Sequence, residues 1–319
     1  MLLINLMRLE LLSFSGGEPL INRDFWEVAE YAASKGFYIS VATNGTLISE
    51  KVAKRMKKVG IRYVEISLDG PNAEIHDEFR GVKGAFNATI RGIKNAKAAG
   101  LDVGIATTAT HENSDSIPEI LKLARELKVD RVIVFDFIPT GRGKEIVYED
   151  LTPVEREKLM KYLYGEWQKG DMQIFSTCPA YARISITAMD KGTGEKVSPT
   201  HFAEMEIPEE FGGAAKALTE FIGGCGAGRI YCSIEHNGDI QPCVFMPIKV
   251  GDVIKDGFVN VWKNSEVLSK LRDRDAENYA CHTCQFRYVC GGCRARAYAY
   301  YGDILAPDPG CIIMEKEWD

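Results

Sequence analysis

The sequence predicts an α/β fold with a parallel sheet or barrel, followed by a small, cysteine-rich α+β domain. Three observations support this prediction. Apolar strands alternate with amphipathic helices through the first half of the 319-residue chain. Turn motifs rich in Gly, Asn and Asp follow the strands, and eight of the nine cysteines lie in the last hundred residues. Strand–helix alternation is typical of parallel α/β folds, whose active sites lie at the carboxyl ends of the strands.

The individual elements follow from local patterns. Short apolar runs that end in turn signals predict five strands, at residues 9–14, 38–42, 63–68, 103–108 and 132–137. Apolar residues at helical spacing predict four helices, at residues 24–34, 49–59, 86–99 and 118–127. Asp24 and Ser49 are expected to cap the first two helices, and Gly36 and Gly60 to end them.

The C-terminal part has its own signals. Asn237-Gly238 predicts a hairpin turn between strands at 231–234 and 240–244. A helix is predicted over residues 262–271, between two groups of cysteines.

Composition excludes several classes of protein. The net charge of −6 and the pI of about 5.6 predict no nucleic-acid partner. No apolar run reaches the roughly 18 residues that a membrane span needs, so no membrane partner is expected. The N-terminal segment carries Arg8 and Glu10 and has no small-residue cleavage site, unlike a secretory signal. Many cysteines without such a signal predict a reducing, cytoplasmic location.

The C-terminal cysteines number eight: Cys225, Cys232, Cys243, Cys281, Cys284, Cys290, Cys293 and Cys311. Eight thiolates divide evenly into two sets of four, which is what two [4Fe–4S] clusters need. Zinc is the alternative, since Cys281-His-Thr-Cys284 and Cys290-Gly-Gly-Cys293 look like two zinc knuckles. Only residues 285–289 separate these pairs, where zinc ribbons place roughly 15–20 residues, so clusters are favoured. The ninth cysteine, Cys178, is expected to be a buried thiol.

The turns after the first three strands and the order of the cysteines resemble those of a known enzyme superfamily. Ser-Gly-Gly-Glu-Pro after the first strand, Ala-Thr-Asn-Gly after the second and Ile-Ser-Leu-Asp-Gly after the third resemble the radical S-adenosylmethionine (SAM) superfamily. The ordered cysteines resemble its SPASM extension, with one departure: Cys293 follows Cys290 after two residues, where that pattern has three. The resemblance covers nearly the whole chain. It implies a partial (β/α)6 barrel over residues 1–150 without its first strand, a bridging region over 151–222 and a SPASM iron–sulfur domain over 223–319.

The resemblance also implies a SAM site. The Gly-Gly-Glu-Pro turn would hold the SAM amino group, Ser67 would touch its ribose or methionine part, and Arg80 would pair with its carboxylate. The backbone near Ile138 would flank the adenine. The implied cofactor-binding residues are Gly16, Gly17, Glu18, Pro19, Asn44, Ser67, Arg80 and Ile138. The alternatives are a turn-stabilising carboxylate for Glu18, a left-handed turn residue for Asn44 and a solvated surface charge for Arg80.

In two-cluster members of the family, the cysteines divide in an interleaved way. By resemblance, auxiliary cluster I takes Cys225, Cys232, Cys243 and Cys293, and auxiliary cluster II takes Cys281, Cys284, Cys290 and Cys311. The catalytic cluster of the family uses a C-x3-C-x2-C loop after the first barrel strand, but no cysteine precedes Cys178. We expect that loop, and a third cluster, in a longer form of the chain. A degenerate enzyme that has lost the loop is the less favoured alternative. The 319 residues alone are expected to bind SAM weakly and not to cleave it.

The implied reaction removes hydrogen from an unactivated C–H bond, with a ferredoxin or flavodoxin as electron donor. Members of the family act on peptides or on tetrapyrroles. Val244 stands where sulfatase-maturing members have Asp, and Cys290-Gly-Gly-Cys293 with its Arg-rich continuation is similar to the haem-pathway members. A tetrapyrrole substrate, a haem precursor, is therefore favoured over a peptide. Arg294 and Arg296 are expected either to receive propionates or to lie on a solvated helix face. An electron-transfer module and a zinc-stabilised structural protein remain alternatives.

Overall fold

Six strands form the main sheet of this computed structural model, which describes residues 11–190 and 224–315. Their order in the sheet is their order in the chain, and the pairings from the first to the fourth strand are parallel. The strands are β1 (Leu11–Phe14), β2 (Tyr38–Thr43), β3 (Ile61–Ser67), β4 (Asp102–Ala109), β5 (Arg131–Asp136) and β6 (Gln173–Ser176). The predicted α/β class is confirmed, and β6 is a strand that the sequence pattern did not predict.

Helices follow the strands along the chain. They are α1 (Phe25–Ser34), α2 (Glu50–Val59), α3 (Ala73–Arg80), α4 (Ala85–Ala98), α5 (Ile117–Glu126), α6 (Pro153–Trp167) and α7 (Ala180–Asp190). The caps of α2 are as predicted, since Ser49 Oγ accepts from Val52 N–H at 3.3 Å and Gly60 ends the helix with φ +95°. Asp24 precedes α1 but makes no side-chain capping bond, so that predicted cap is wrong.

The described residues divide into two compact units. The first contains residues 11–135 and 171–174, and the second contains 136–170, 175–190 and 224–315. In the first unit, apolar side chains of the central strands are fully buried, among them Ile39, Val41, Val64, Ile66, Val103 and Ile105. Such burial on strands of a parallel sheet is expected when helices cover the sheet. The bridging region predicted over 151–222 contributes α6, β6 and α7 in its described part.

Polar side chains occupy one face of β3. Tyr63, Glu65 and Ser67 alternate along the strand and therefore point to the same side. Glu65 pairs in register with Gly104 of β4, and a Cβ at Gly104 would lie 2.0 Å from the Tyr63 hydroxyl. Glycine is thus required there, because the Tyr63 ring lies across it. The Arg131 guanidinium lies 4.4 Å from the centre of the same ring.

The second unit contains a small antiparallel sheet of β7 (Ser233–Ile234), β8 (Asp239–Gln241) and β9 (Gly251–Asp252). Gly238, with φ +91°, lies in the predicted hairpin turn between β7 and β8. The helices of this region are α8 (Phe258–Asn264), α9 (Glu266–Arg272), α10 (Arg294–Tyr301) and α11 (Ile312–Glu315). The single helix predicted over 262–271 is wrong, because Ser265 ends α8 and its hydroxyl caps α9. No helix in the described ranges is long and apolar enough to cross a membrane.

Candidate functional site

The carboxylate of Glu18 joins the turn after β1 to the end of β2. Its Oε1 accepts hydrogen bonds from Thr43 Oγ1 at 2.7 Å and from Leu20 N–H at 3.2 Å. Its Oε2 accepts from Asn44 N–H at 2.9 Å. An ionised carboxylate has about four acceptor sites, so this turn-stabilising arrangement leaves capacity for one ligand donor. Pro19 follows and is buried.

The glycines of the same turn are exposed, and Gly16 has φ +134°, which L-residues with side chains rarely adopt. A backbone without side chains is therefore accessible at Gly16 and Gly17. Asn44 forms a local turn instead of a left-handed one, since its Oδ1 accepts from Thr46 N–H at 2.8 Å. Among the described residues other than glycine, positive φ occurs at Lys128 alone, so the left-handed alternative for Asn44 is wrong.

Arg80 is bound to a buried carboxylate directly after β3. Its Nε donates to Asp69 Oδ2 at 2.6 Å, and its Nη2 is ion-paired with the same oxygen. Asp69 is fully buried, and its Oδ1 accepts from Thr108 N–H at 2.9 Å. Although 34% of the Arg80 side chain is exposed, it is not simply a solvated charge. Its third guanidinium nitrogen, Nη1, is left to donate to a carboxylate ligand.

His76 completes the support of Asp69. Its Nδ1 accepts from Asp69 N–H at 3.1 Å, and burial lowers the pKa of His76. The ring is therefore neutral near pH 7. The Asp69 carbonyl accepts from Asn113 Nδ2 at 3.1 Å, so both the backbone and the side chain of Asp69 are fixed.

The two other predicted SAM contacts belong to different units. Ser67 ends β3, is half-buried and pairs in register with Ala106 of β4. Ile138 lies in the second unit, directly after β5, and its carbonyl accepts from Thr140 N–H at 2.8 Å. Its side chain packs against the apolar core of the cysteine-rich region.

A cavity of about 180 Å³ lies in the second unit. Its walls include the four cysteines that the resemblance assigns to cluster II: Cys281, Cys284, Cys290 and Cys311. Cys178, Arg183 and Asp308 line the same cavity. The structure thus brings the second predicted set together around one space and adds a fifth cysteine to its wall.

Burial favours the protonated form of three thiols of this cavity, Cys281, Cys290 and Cys311. Burial raises the pKa of Cys281 to about 11 and that of Cys290 to about 12. Burial also raises the pKa of Cys311. Iron binds thiolates, so loading of the site must release these protons and should be favoured by rising pH.

Three of the four cysteines assigned to cluster I lie around Tyr231. The Tyr231 hydroxyl donates to Cys243 Sγ at 3.3 Å. Burial raises the pKa of Tyr231, and the thiolate charges of Cys243, Cys225 and Cys293 would raise it further. Cys225 and Cys293 share a hydrogen bond, which lowers the pKa of Cys225 and raises that of Cys293.

Cys232, the fourth residue assigned to cluster I, is half-buried and lies near Arg272. Burial raises its pKa to about 11, and Arg272 is its charged neighbour within the described ranges. Cys232 follows Tyr231 directly, and successive residues of an extended segment point to opposite sides. Arg272 in turn lies 4.5 Å from the Trp262 ring centre and donates to Gly228 O at 2.8 Å.

A buried ionic network occupies the second unit between α6 and α10. Arg156 bonds Asp136 Oδ1 and Asp150 Oδ1, both at 2.6 Å. Arg296 bonds Asp150 Oδ2 at 2.8 Å and Asp308 Oδ1 at 3.1 Å. Arg296 is 1% exposed. The expectation that it lies on a solvated helix face is therefore wrong.

Asp308 links this network to the cysteines. Its Oδ2 accepts from Cys293 N–H at 2.7 Å, and its Oδ1 accepts from Gly310 N–H at 2.9 Å. Burial alone would raise the pKa of Asp308, but the Arg296 guanidinium and these N–H donors hold it below the usual value. A single carboxylate thus ties a cysteine of the first set to the wall of the second set's cavity.

Arg294 is also buried, with 3% exposure, so the solvated helix face expected for it is wrong. Its Nη1 donates to the carbonyls of Ala306 at 2.7 Å and Ile304 at 3.1 Å, and its Nε to that of Gly292 at 3.3 Å. Its Nη2 has no hydrogen-bond partner among the described residues. The guanidinium lies 5.0 Å from the Tyr279 ring centre.

The donor set fits clusters better than a single ion. All nine cysteines lie in the described ranges and none forms a disulfide. Within those ranges, no three His, Cys, Asp or Glu side chains are close enough to hold one metal ion. A cubane spans more space than an ion and takes thiolates from separate walls, which matches the four-cysteine cavity.

Sequence reasoning missed two residues of the cavity. Cys178 is a buried thiol, as predicted, but its place in the cavity wall was not foreseen. Arg183 is ion-paired with Glu157 and lies 6.0 Å from the Phe286 ring centre. Both belong to the segment around α7, far in sequence from the cysteine pattern, and no local motif marks them.

Comparison with known families agrees with the fold and the cysteines. Residues 2–144 match the radical SAM superfamily, and residues 225–285 match SPASM, described as an iron–sulfur cluster-binding domain. The chain belongs to the radical SAM superfamily and carries a SPASM domain. It is thereby an enzyme by resemblance, with iron–sulfur clusters and SAM as the cofactors of its class.

Several curated proteins are similar over most of the chain. An AdoMet-dependent heme synthase of Methanosarcina barkeri is 35% identical over 303 residues, covering 95% of this chain and 82% of that protein. An Fe-coproporphyrin III synthase of the same organism is 32% identical over 314 residues, covering 95% and 76%. A mycofactocin maturase of Mycolicibacterium smegmatis is 32% identical over 329 residues, covering 98% and 74%.

Solved structures support the fold. SuiB of Streptococcus suis bound to S-adenosylmethionine superposes with a TM-score of 0.68 at 19% identity, covering 94% of this chain and 65% of that one. The structure named native anSMEcpe with bound AdoMet and a peptide superposes with a TM-score of 0.66 at 19% identity, covering 95% and 81%. At this identity the likeness concerns the fold alone.

Proposed function

We propose that this chain is a radical SAM/SPASM oxidoreductase that acts on an unactivated C–H bond of a tetrapyrrole, a haem precursor, and binds two auxiliary [4Fe–4S] clusters. The observation that carries the proposal is the cavity lined by Cys281, Cys284, Cys290 and Cys311. The similarity to proteins named as a heme synthase and an Fe-coproporphyrin III synthase favours the tetrapyrrole. A peptide, the other substrate class of the resembled family, stays the second candidate beside the similarity to a mycofactocin maturase.

The chain's own residues would hold SAM at the carboxyl ends of the first strands. Glu18 would accept from its ammonium, and the outer edge of Arg80 would donate to its carboxylate. Gly16 and Gly17 would let the ligand approach the backbone, with Asn44 and Ser67 beside it. When bound, SAM and a reduced cluster supply the radical chemistry, and the chain orients the substrate and excludes water. A ferredoxin or flavodoxin would supply the electrons.

Cluster content is the first test. Anaerobic reconstitution should give close to eight irons and eight sulfides per chain, because two sets of four thiolates are proposed. Iron and sulfide are measured colorimetrically, and zinc by mass spectrometry on the same sample. Stoichiometric zinc without iron uptake would replace the proposal with a structural zinc protein.

The division of ligands is the second test. Cys225→Ala and Cys293→Ala should perturb one electron paramagnetic resonance (EPR) signal of the reduced protein, and Cys284→Ala should perturb the other. If Cys225→Ala and Cys293→Ala perturbed different signals, or if Cys284→Ala perturbed the same signal as either, the interleaved assignment would be refuted.

The ninth thiol and Cys232 need their own variants. Cys232→Ala should lose about four irons, because it removes one of the four thiolates assigned to cluster I. Cys178→Ala, which removes a buried thiol outside the pattern, should keep all eight. The reverse result would exchange the two assignments and make Cys178 a ligand.

Substrate class is tested by binding to the reconstituted protein. Iron coproporphyrin III should bind with a shift of its Soret absorption, whereas an unrelated peptide of the same net charge should not compete. Retention of a precursor peptide together with no shift for the porphyrin would favour the peptide-modifying alternative.

A further inference from the structure

Arg294 is a buried cation whose guanidinium is not fully hydrogen-bonded within the described residues. Elsewhere in the same unit, the buried guanidinium groups of Arg156 and Arg296 are ion-paired with aspartates. Arg294 forms no ion pair with a carboxylate of the described residues, and its Nη2 lacks a hydrogen-bond partner. Taking an ion out of water is costly unless a counter-charge and acceptors replace the water. The position therefore calls for an anionic acceptor near Nη2.

Two thiols are among the groups that favour the charge of Arg294. Burial opposes the charge of Arg294, while Tyr279, Cys281 and Cys225 favour it, with Asp308 as a further contribution. Cys225 belongs to the set assigned to cluster I and Cys281 to the set assigned to cluster II. One guanidinium thus lies within electrostatic reach of both predicted sites.

The backbone at Arg294 and Gly292 also contributes to this arrangement. The Arg294 N–H is itself a donor to Cys225 Sγ. A Cβ at Gly292 would lie 2.5 Å from Arg294 Nη2, so the glycine leaves the space that this nitrogen occupies. Gly292 has φ +60°, which also disfavours a side chain there. The unpaired nitrogen is held in place by its neighbours.

We propose that Arg294 is a positioning residue shared by the two cluster sites, whose Nη2 donates to the thiolate or cluster sulfur of both and stabilises their reduced, more negative state. The inference rests on the proposed function, because it needs clusters at both sets of cysteines. Charge and hydrogen bonds to sulfur are among the main determinants of cluster potential. Removing one positive charge disfavours the added electron, so the midpoint potentials should fall.

The experiment compares the midpoint potentials of both auxiliary clusters in wild type and in Arg294→Gln, by redox titration followed by EPR. Both potentials should fall by about 59 mV or more, which is a tenfold change in a one-electron equilibrium. Arg294→Lys keeps the charge but lacks the planar fork, so a smaller fall of about 28 mV, a threefold change, is expected. A role confined to folding would not move the potentials of protein that has loaded its clusters.

Arg287→Gln is the matched control, because Arg287 lies in the same segment but is paired with exposed Asp275. It should leave both potentials at the wild-type values. Unchanged potentials in loaded Arg294→Gln would overturn the inference, and so would a fall of equal size in Arg287→Gln. If Arg294→Gln takes up no iron, the Arg294→Lys variant decides. A fall of its midpoint potentials supports the inference, and wild-type potentials overturn it. If wild type itself takes up no iron, the proposed function fails together with the inference.

Discussion

Glu65→Gln should remove a pH dependence from the stability of the first unit. Glu65 is half-buried on β3, and burial raises its pKa from 4.5 to about 7, although Arg131 and Tyr63 oppose the shift. Between these two pH values the folded protein holds a proton that the unfolded chain has released. The wild type therefore loses stability as the pH rises from about 4.5 to about 7, and the loss is complete above that range. Glutamine does not titrate and avoids this loss.

The expected magnitude is about 2 kcal/mol. Each pKa unit is worth about 1.4 kcal/mol, and the partial exposure of the side chain reduces the full value through solvent screening. Urea unfolding followed by circular dichroism at pH 5 and pH 8 measures it. Relative to wild type, Glu65→Gln should be more stable at pH 8 than at pH 5 by this amount. Exposed Glu74→Gln controls for the loss of one carboxylate, and parallel pH profiles for wild type and Glu65→Gln would refute the reasoning.

Three further substitutions test the packing around the sites. Gly104→Ala should destabilise the chain by about 2 kcal/mol, because the new methyl would meet the Tyr63 hydroxyl; thermal melting should show partial recovery in the double variant with Tyr63→Phe. Asp69→Asn should cost about 2 kcal/mol in urea, since it leaves partly exposed Arg80 unpaired. Arg296→Met should cost about 4 kcal/mol by calorimetry, because it leaves buried aspartates without their cation.

Each of these has a contradicting result. A Gly104→Ala variant that melts with wild type would mean that the ring of Tyr63 can move aside cheaply. If Asp69→Asn were as stable as wild type, the Arg80–Asp69 ion pair would be screened by solvent and would contribute little to stability. A stable Arg296→Met variant would mean that the aspartates are hydrated or protonated in the folded chain.

The order and type of the barrel elements could be predicted because each strand and helix has a local signal. The Ser49 and Gly60 caps of α2 lie where the capping preferences put them. Helix 262–271 was mispredicted because its apolar spacing continues through Ser265, whose hydroxyl instead starts a new helix. Strand β6 has only four residues, and a run of that length carries little periodic signal.

The cysteine sites were predictable from spacing, but the arginines beside them were not. Arg294 and Arg296 alternate with alanines on α10, a pattern that suits a solvated face equally well. Their burial depends on Asp150, Asp308 and distant carbonyls, partners that are brought together only by the tertiary fold. For the same reason, Arg80 could not be assigned to Asp69 from their eleven-residue separation alone.

The fixed position of Asp69 has a consequence for the thermodynamics of binding. Its carboxylate and backbone connect the segment after β3 with α3, the end of β4 and Asn113. These segments are ordered before a ligand arrives, so binding at this end of the sheet should lose little loop entropy. Calorimetry should then give a small heat-capacity change, set by the apolar area of the ligand itself. The entropy cost of ordering these segments is met when the chain folds and not when the ligand binds. Loosening the Asp69 contacts would therefore weaken binding without removing any atom that touches the ligand.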